Sequence, residues 1–272
     1  MKLGIIHAYP YIYEENFAFA KKNGIDGLEF TVDVGMDVKG FLDSIPTYKK
    51  WGEDYSRKIL SLGRWGSKRI DEDGSINADE LENDKKLIAA ASELGCPVFN
   101  CGCNYVESKT LQENYETAID YFSRLVEYGN SQNIKIAVYN CHWENFVTGP
   151  EQWDAILPKV EGLGIKYDPS HNVSYCKNYS EYLGEMAKYG DKFYHFHVKG
   201  MLIIDGERYD DPPAGLDLIS WGAVFDVLYT KNYEGTVSIE PHSKYWKGTR
   251  GRWGIEFTVK HIKQFIMPED YK

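Results

Sequence analysis

His195-Phe196-His197-Val198-Lys199 alternates two imidazoles and an amine with apolar residues, so a strand through it turns all three polar groups to one face. Three further segments belong with it: Tyr167-Asp168-Pro169-Ser170-His171, Asp211-Pro212-Pro213-Ala214-Gly215 and Ser238-Ile239-Glu240-Pro241-His242. Three of the four put a carboxylate or imidazole at the end of an apolar, β-rich run. Such groups are rarely buried without a task. Their recurrence at strand ends is the pattern of a metal site at the mouth of a parallel barrel. The segment that should precede them, Ala137-Val138-Tyr139-Asn140-Cys141-His142, has no carboxylate at the matching place.

Working outward, strand-like and helix-like runs alternate along the whole chain. Strands are expected at 3–8, 27–32, 59–65, 97–103, 135–141, 164–168, 193–199 and 235–240. Helices are expected at 13–23, 47–58, 78–94, 111–128, from Pro150, at 179–189, 220–229 and 251–266. In 78–94, Leu81, Leu87, Ile88 and Ala91 share one face and Gly95 stops the helix. Helical crossovers imply parallel strands joined in the right-handed sense. Eight such units predict an α/β chain, a single (β/α)8 TIM barrel over 1–272, more readily than a doubly wound sheet. The first strand ends His7-Ala8-Tyr9-Pro10, without the glycine fingerprint of a dinucleotide site.

The net charge of −10 provides no electrostatic footprint for nucleic acid or an anionic membrane. No stretch approaches the ~20 apolar residues of a membrane span. The N-terminus enters a strand directly, with no secretory signal pattern. Five cysteines, an odd number, read as reduced thiols and suggest the cytoplasm. Cys101 and Cys103 are too close for an ordinary bridge. The 21 tyrosines leave room for an aromatic-lined pocket suited to sugar-like ligands.

Among candidate residues, Glu240 ends an apolar strand and is the strongest choice for general base and metal ligand. Asp168 offers a hard cation its carboxylate, with His171 beside it. Lys199 shares the face of His195 and His197 and suits a substrate oxygen or an enolate. Glu29 holds the equivalent place on strand two, for a substrate hydroxyl or to support the site. His7 and Trp65 close strands one and three. Arg208 and His242 flank the stiff Asp211-Pro212-Pro213 loop and the Glu240 strand.

In these residues the chain resembles the xylose-isomerase-like TIM-barrel superfamily of sugar isomerases, epimerases, dehydratases and endonuclease IV. That family's pattern is Glu on strand five, Asp-x-x-His on six, His-x-His on seven and Glu on eight. The resemblance implies a divalent ion (Mn²⁺, Mg²⁺, Co²⁺ or Zn²⁺) held by Asp168, His197 and Glu240, with His171 and His195 supporting them or touching substrate. At strand five, Asn140 or Tyr139 stands where the family has glutamate, and Asn140 is the better ligand. In ketose 3-epimerases that glutamate is one of two bases, so its loss points toward one-base chemistry: aldose–ketose isomerisation, dehydration or elimination beside a carbonyl. The barrel subunit of C-glycoside deglycosidases, which acts on 3-keto sugars with a small partner, is a further relative. The three-zinc cluster of endonuclease IV needs more histidines and acids than these strand ends supply. The expectation is a metal-dependent enzyme acting on a sugar or keto-sugar through an enediolate, a homo-oligomer or partnered by a small subunit. A sugar-binding subunit without catalysis is the competing class.

Overall fold

The structure, a computed structural model, describes residues 1–175 and 180–271. Eight parallel strands close a barrel: β1 (Lys2–Ala8), β2 (Gly27–Thr31), β3 (Lys58–Gly63), β4 (Val98–Cys101), β5 (Lys135–Tyr139), β6 (Leu163–Tyr167), β7 (Phe193–Val198) and, after the hairpin β8 (Leu202–Ile204) and β9 (Glu207–Asp210), β10 (Thr236–Ile239). β10 pairs with both β7 and β1, which closes the ring. The helices are α1 (Glu14–Lys22), α2 (Val38–Asp43), α3 (Ile45–Tyr55), α4 (Ala78–Glu93), α5 (Leu111–Ser131), α6 (Pro150–Ile156), α7 (Pro169–Tyr175), α8 (Glu181–Tyr189), α9 (Trp221–Thr230) and α10 (Gly248–Lys263).

Local chemistry sets the boundaries. Asn77 caps α4 by accepting from the Glu80 N–H, and Thr110 and Glu113 form a reciprocal capping box on α5. The helix expected to run to Lys58 stops at Tyr55, because Ser56 turns into the left-handed region (φ 52) and delivers Lys58 to β3. The β8–β9 hairpin, α2 and α7 were not expected. The Asp168-Pro169 step starts α7, because proline suits a first helical turn. The expected helix start at Tyr179 lies outside the described residues, as does Cys176. The other four cysteines are unbridged. Among the described residues no helix is long and apolar enough to cross a membrane.

The apolar core lies between barrel and helices, where Leu28, Phe30, Phe99, Ile165 and Phe196 pack against residues such as Phe17, Leu87 and Phe122. The barrel interior is different. Glu29, Ser61, Asn100, Lys166, His195 and His197 are all essentially inaccessible. Interior layers of such barrels are usually filled by branched apolar residues, so this polar filling is costly unless it is satisfied internally.

One buried network braces the loop after β3. Asp84 on α4 accepts from Arg69 Nε at 3.2 Å and from the Tyr121 hydroxyl of α5. Arg69 also donates to the carbonyls of Arg64 (2.9 Å) and Ser67 (3.0 Å). Removing one partner of a buried ion pair leaves an uncompensated charge, which costs about 3–5 kcal/mol. Asp84→Ala should therefore lower unfolding free energy by about that amount. A urea or guanidinium midpoint within error of the parent would contradict this.

Candidate active site

The site begins with Glu29. Its register partners are Ile6 on β1 and Ser61 on β3, so its side chain enters the barrel at mid-height. Its Oε2 lies 2.6 Å from His195 Nε2, and both oxygens lie 3.0 Å from His197 Nε2. With that nitrogen engaged by Glu29, the ring of His197 presents Nδ1 upward, 2.7 Å from Glu240 Oε2. Buried imidazoles are commonly oriented by a carboxylate in this way. Burial lowers the basicity of His197, but the charge of Glu29 and the hydrogen bonds that the ring donates to both carboxylates outweigh it, and its pKa is raised. Burial would raise the Glu29 pKa; the adjacent imidazoles instead hold it well below the usual range.

Asp168 sits one residue beyond β6. Its Oδ1 accepts from the Ser170 N–H at 2.9 Å and so caps α7. Its Oδ2 is fully buried, receives no well-aligned hydrogen bond, and faces Lys199 Nζ at 3.1 Å and His171 Nε2 at 3.4 Å. Lys199 also reaches His171 Nε2 at 3.1 Å and Glu240 Oε1 at 3.6 Å. Burial opposes ionisation of Glu240, but Lys199 and His197 prevail, so it stays a carboxylate with a depressed pKa. Burial opposes the charge on Lys199 too, and Asp168 and Glu240 override it, raising its pKa.

A cleft of about 530 Å³ opens over these groups. Trp65, Lys166, His171, His197, Lys199, Arg208, Glu240 and His242 line it. Arg208, from β9, forms a two-pronged pair with Asp211, and His242 Nδ1 lies 2.6 Å from Asp211 Oδ2. The structure therefore brings most of the expected residues together, with several changes of role.

Asn140 is not turned toward the ligand cluster as expected. Its Oδ1 accepts from the Asp168 N–H (3.0 Å) and its Nδ2 donates to the Asp168 carbonyl (2.9 Å). It extends the β5–β6 ladder and fixes Asp168. Tyr139 donates its hydroxyl to the Trp143 carbonyl (3.1 Å) and stacks on Trp65 at 5.3 Å. Glu29 and His195 are fully buried partners of each other, so they support the site rather than touch substrate. His7 is misplaced altogether. Strand alternation turns Ile6 into the cleft, and His7 instead lines a groove with Phe19 and Trp246.

Sequence reading passed over Lys166. Counting back by two from Asp168 puts it on the same inward face, and it is only 1% exposed. Asp33 was also missed. It lines the cleft and accepts from the Thr31 hydroxyl at 2.7 Å.

Asp168, His197 and Glu240 present one ligand atom each within 4.8 Å of one another; Glu29, His195 and His197 form a second such group. Oxygen and imidazole donors suit a divalent first-row ion or Mg²⁺. The first group fits a cation, since Asp168 Oδ2 receives no well-aligned hydrogen bond and already attracts the Lys199 ammonium, and His197 and Glu240 line the open cleft. The second is closed, with both Glu29 oxygens already taken up by imidazoles.

Burial holds two imidazoles neutral. The pKa of His7 is lowered to about 4 by burial, and that of His171 to about 3 by burial and then Lys199, with Asp168 opposing. An unfolded histidine protonates near about 6.5, so below that pH the unfolded chain binds more protons. The stability linked to these groups is present above about pH 6.5 and is lost as pH falls toward the folded values. The denaturation midpoint should drop between pH 6.5 and 4, and His7→Asn should shrink that drop. An unchanged pH slope in the variant would contradict the assignment.

The family model described as "Xylose isomerase-like TIM barrel" matches residues 17–261. A search of curated proteins gives no match. Among solved structures, the 3-keto-D-glucoside 4-epimerase of E. coli is 16% identical with a TM-score of 0.74, over 97% of this chain and 99% of that one. The D-allulose 3-epimerase of Methylomonas sp. is 16% identical with a TM-score of 0.76, covering 98% of each chain. A probable 3-DHS dehydratase from Bacillus anthracis is 13% identical with a TM-score of 0.74, over 97% of this chain and 99% of that one. At these identities the solved structures speak to the fold, while the family match spans most of the sequence. The chain belongs to the xylose isomerase-like TIM-barrel family.

Proposed function

We propose that this chain is an enzyme that moves a proton on the carbon next to the carbonyl of a sugar or keto-sugar. The observation that carries the reading is Glu240: an ionised carboxylate at the rim of an open cleft, flanked by His197 and Lys199. Asp168, His197 and Glu240 would hold a divalent ion, which when bound supplies Lewis-acid polarisation of a carbonyl and its neighbouring hydroxyl. A carboxylate with a depressed pKa is a weak base, so the substrate C–H must be acidified by charge placed over the adjacent oxygen. Lys199 places a permanent positive charge beside that same carboxylate. Trp65 offers an apolar wall, and Arg208 and His242 offer donors at the rim. The structural relatives, two sugar epimerases and a probable dehydratase, support sugar-like substrates and carbonyl-adjacent chemistry.

Strand five separates this reading from a symmetrical two-base epimerase, because Tyr139 and Asn140 are committed to Trp143 and to the Asp168 backbone. Strand five therefore offers no second carboxylate to work opposite Glu240.

In heavy water, NMR should show loss of the C–H signal beside the carbonyl of a 3-keto-glucoside or of D-allulose. Glu240→Gln should slow this by about 10²–10⁴-fold, the usual contribution of a general base. Mn²⁺ binding, read by electron paramagnetic resonance, should be lost in Asp168→Asn. Full exchange in Glu240→Gln rejects the assigned base, and no exchange by the parent protein with either sugar rejects the reading.

A further inference from the structure

We propose that Lys166 is the general acid of an elimination, protonating a leaving oxygen two carbons from the substrate carbonyl. This rests on the proton transfer assigned to Glu240 and narrows the substrate to a keto-sugar carrying an alkoxy, glycosyl or hydroxyl group at that carbon.

Lys166 projects inward from β6, in register with Tyr139 on β5, one of the two positions that stand where the family has its strand-five glutamate. It is 1% exposed and lines the cleft. Among the described residues its ammonium makes no hydrogen bond or ion pair; it lies 5.9 Å from the centre of the Trp65 ring. A cation–π contact offsets only part of the cost of burying a charge. Lys199 differs in every respect, being tied to Asp168, Glu240 and His171. One lysine is thus held in place by acids of the site, and the other has its donors free for an oxygen entering the cleft.

The pairing of a carboxylate with an ammonium is asymmetric. Glu240 takes the proton from the carbon beside the carbonyl. The electron pair of that C–H bond becomes the new C=C bond as the C–O bond at the next carbon breaks. The departing oxygen takes a proton from Lys166 and leaves as an alcohol or water. The enzyme is left with protonated Glu240 and neutral Lys166, and proton exchange with solvent restores both. No oxidant or reductant is needed.

The test uses methyl and 4-nitrophenyl 3-keto-glucosides, with Lys166→Met and, as a second variant that keeps a cation but cannot readily release a proton, Lys166→Arg. Methanol release should fall by about 10²–10⁴-fold in both variants. Release of 4-nitrophenol, whose anion leaves without protonation, should change little, and deuterium exchange beside the carbonyl should persist. Equal slowing of both leaving groups, or no slowing of either, overturns the role of Lys166. Exchange without release of either alcohol by the parent protein overturns the elimination while leaving the Glu240 reading intact. Absence of exchange in the parent protein is the failure of that earlier reading.

Discussion

Glu29 is the constraint on which the site depends. A carboxylate buried at mid-barrel is unfavourable unless its oxygens are fully engaged, and here two imidazoles from one strand engage them. That arrangement determines which nitrogen of His197 reaches the cleft. It thereby sets where Glu240 rests, and Glu240 in turn shares Lys199 with Asp168. The interior is a relay of alternating charges rising from the barrel centre to its mouth. Each member is positioned by the one beneath it, so the geometry at the rim is inherited from a residue that never meets substrate.

A second constraint comes from backbone chemistry rather than charge. Asp168 has two oxygens with separate duties: one caps α7 and the other faces the Lys199 ammonium. Asn140 pins the same residue through its main chain. The capping bond removes rotational freedom from the carboxylate before any ligand arrives, which is preorganisation in its simplest form. The helix after β6 is thus part of the site's construction even though, among the described residues, it presents only His171 to the cleft.

Much of this was legible in the sequence. Alternation in His195-Phe196-His197-Val198-Lys199 and the apolar runs before Asp168 and Glu240 defined both barrel and mouth, because period-two patterning maps directly onto faces. The same rule would have found Lys166, but Ile165 and Tyr167 make that strand read as continuously apolar around a single lysine. His7 failed for a different reason. A strand-end histidine gives no sign of which face it takes until the phase of its neighbours is known, and Ile6 holds the inward place. Asn140 looked like a ligand because its oxygen could be one. Only the third dimension shows that oxygen satisfied by a main-chain N–H twenty-eight residues away. The β8–β9 hairpin was invisible because it is short and exposed, with little hydrophobic periodicity.

The stack of Trp65 on Tyr139 occupies space that two glycines leave open. A methyl group on Gly63 would meet the Trp65 ring at 2.1 Å, and one on Gly102 would meet the Tyr139 ring at 2.5 Å. The aromatic ring at Tyr139 is therefore not an isolated choice in this barrel. It is tied to a neighbouring indole and to two positions without side chains, so a side chain added at either glycine would displace one ring and with it the stack that walls the cleft.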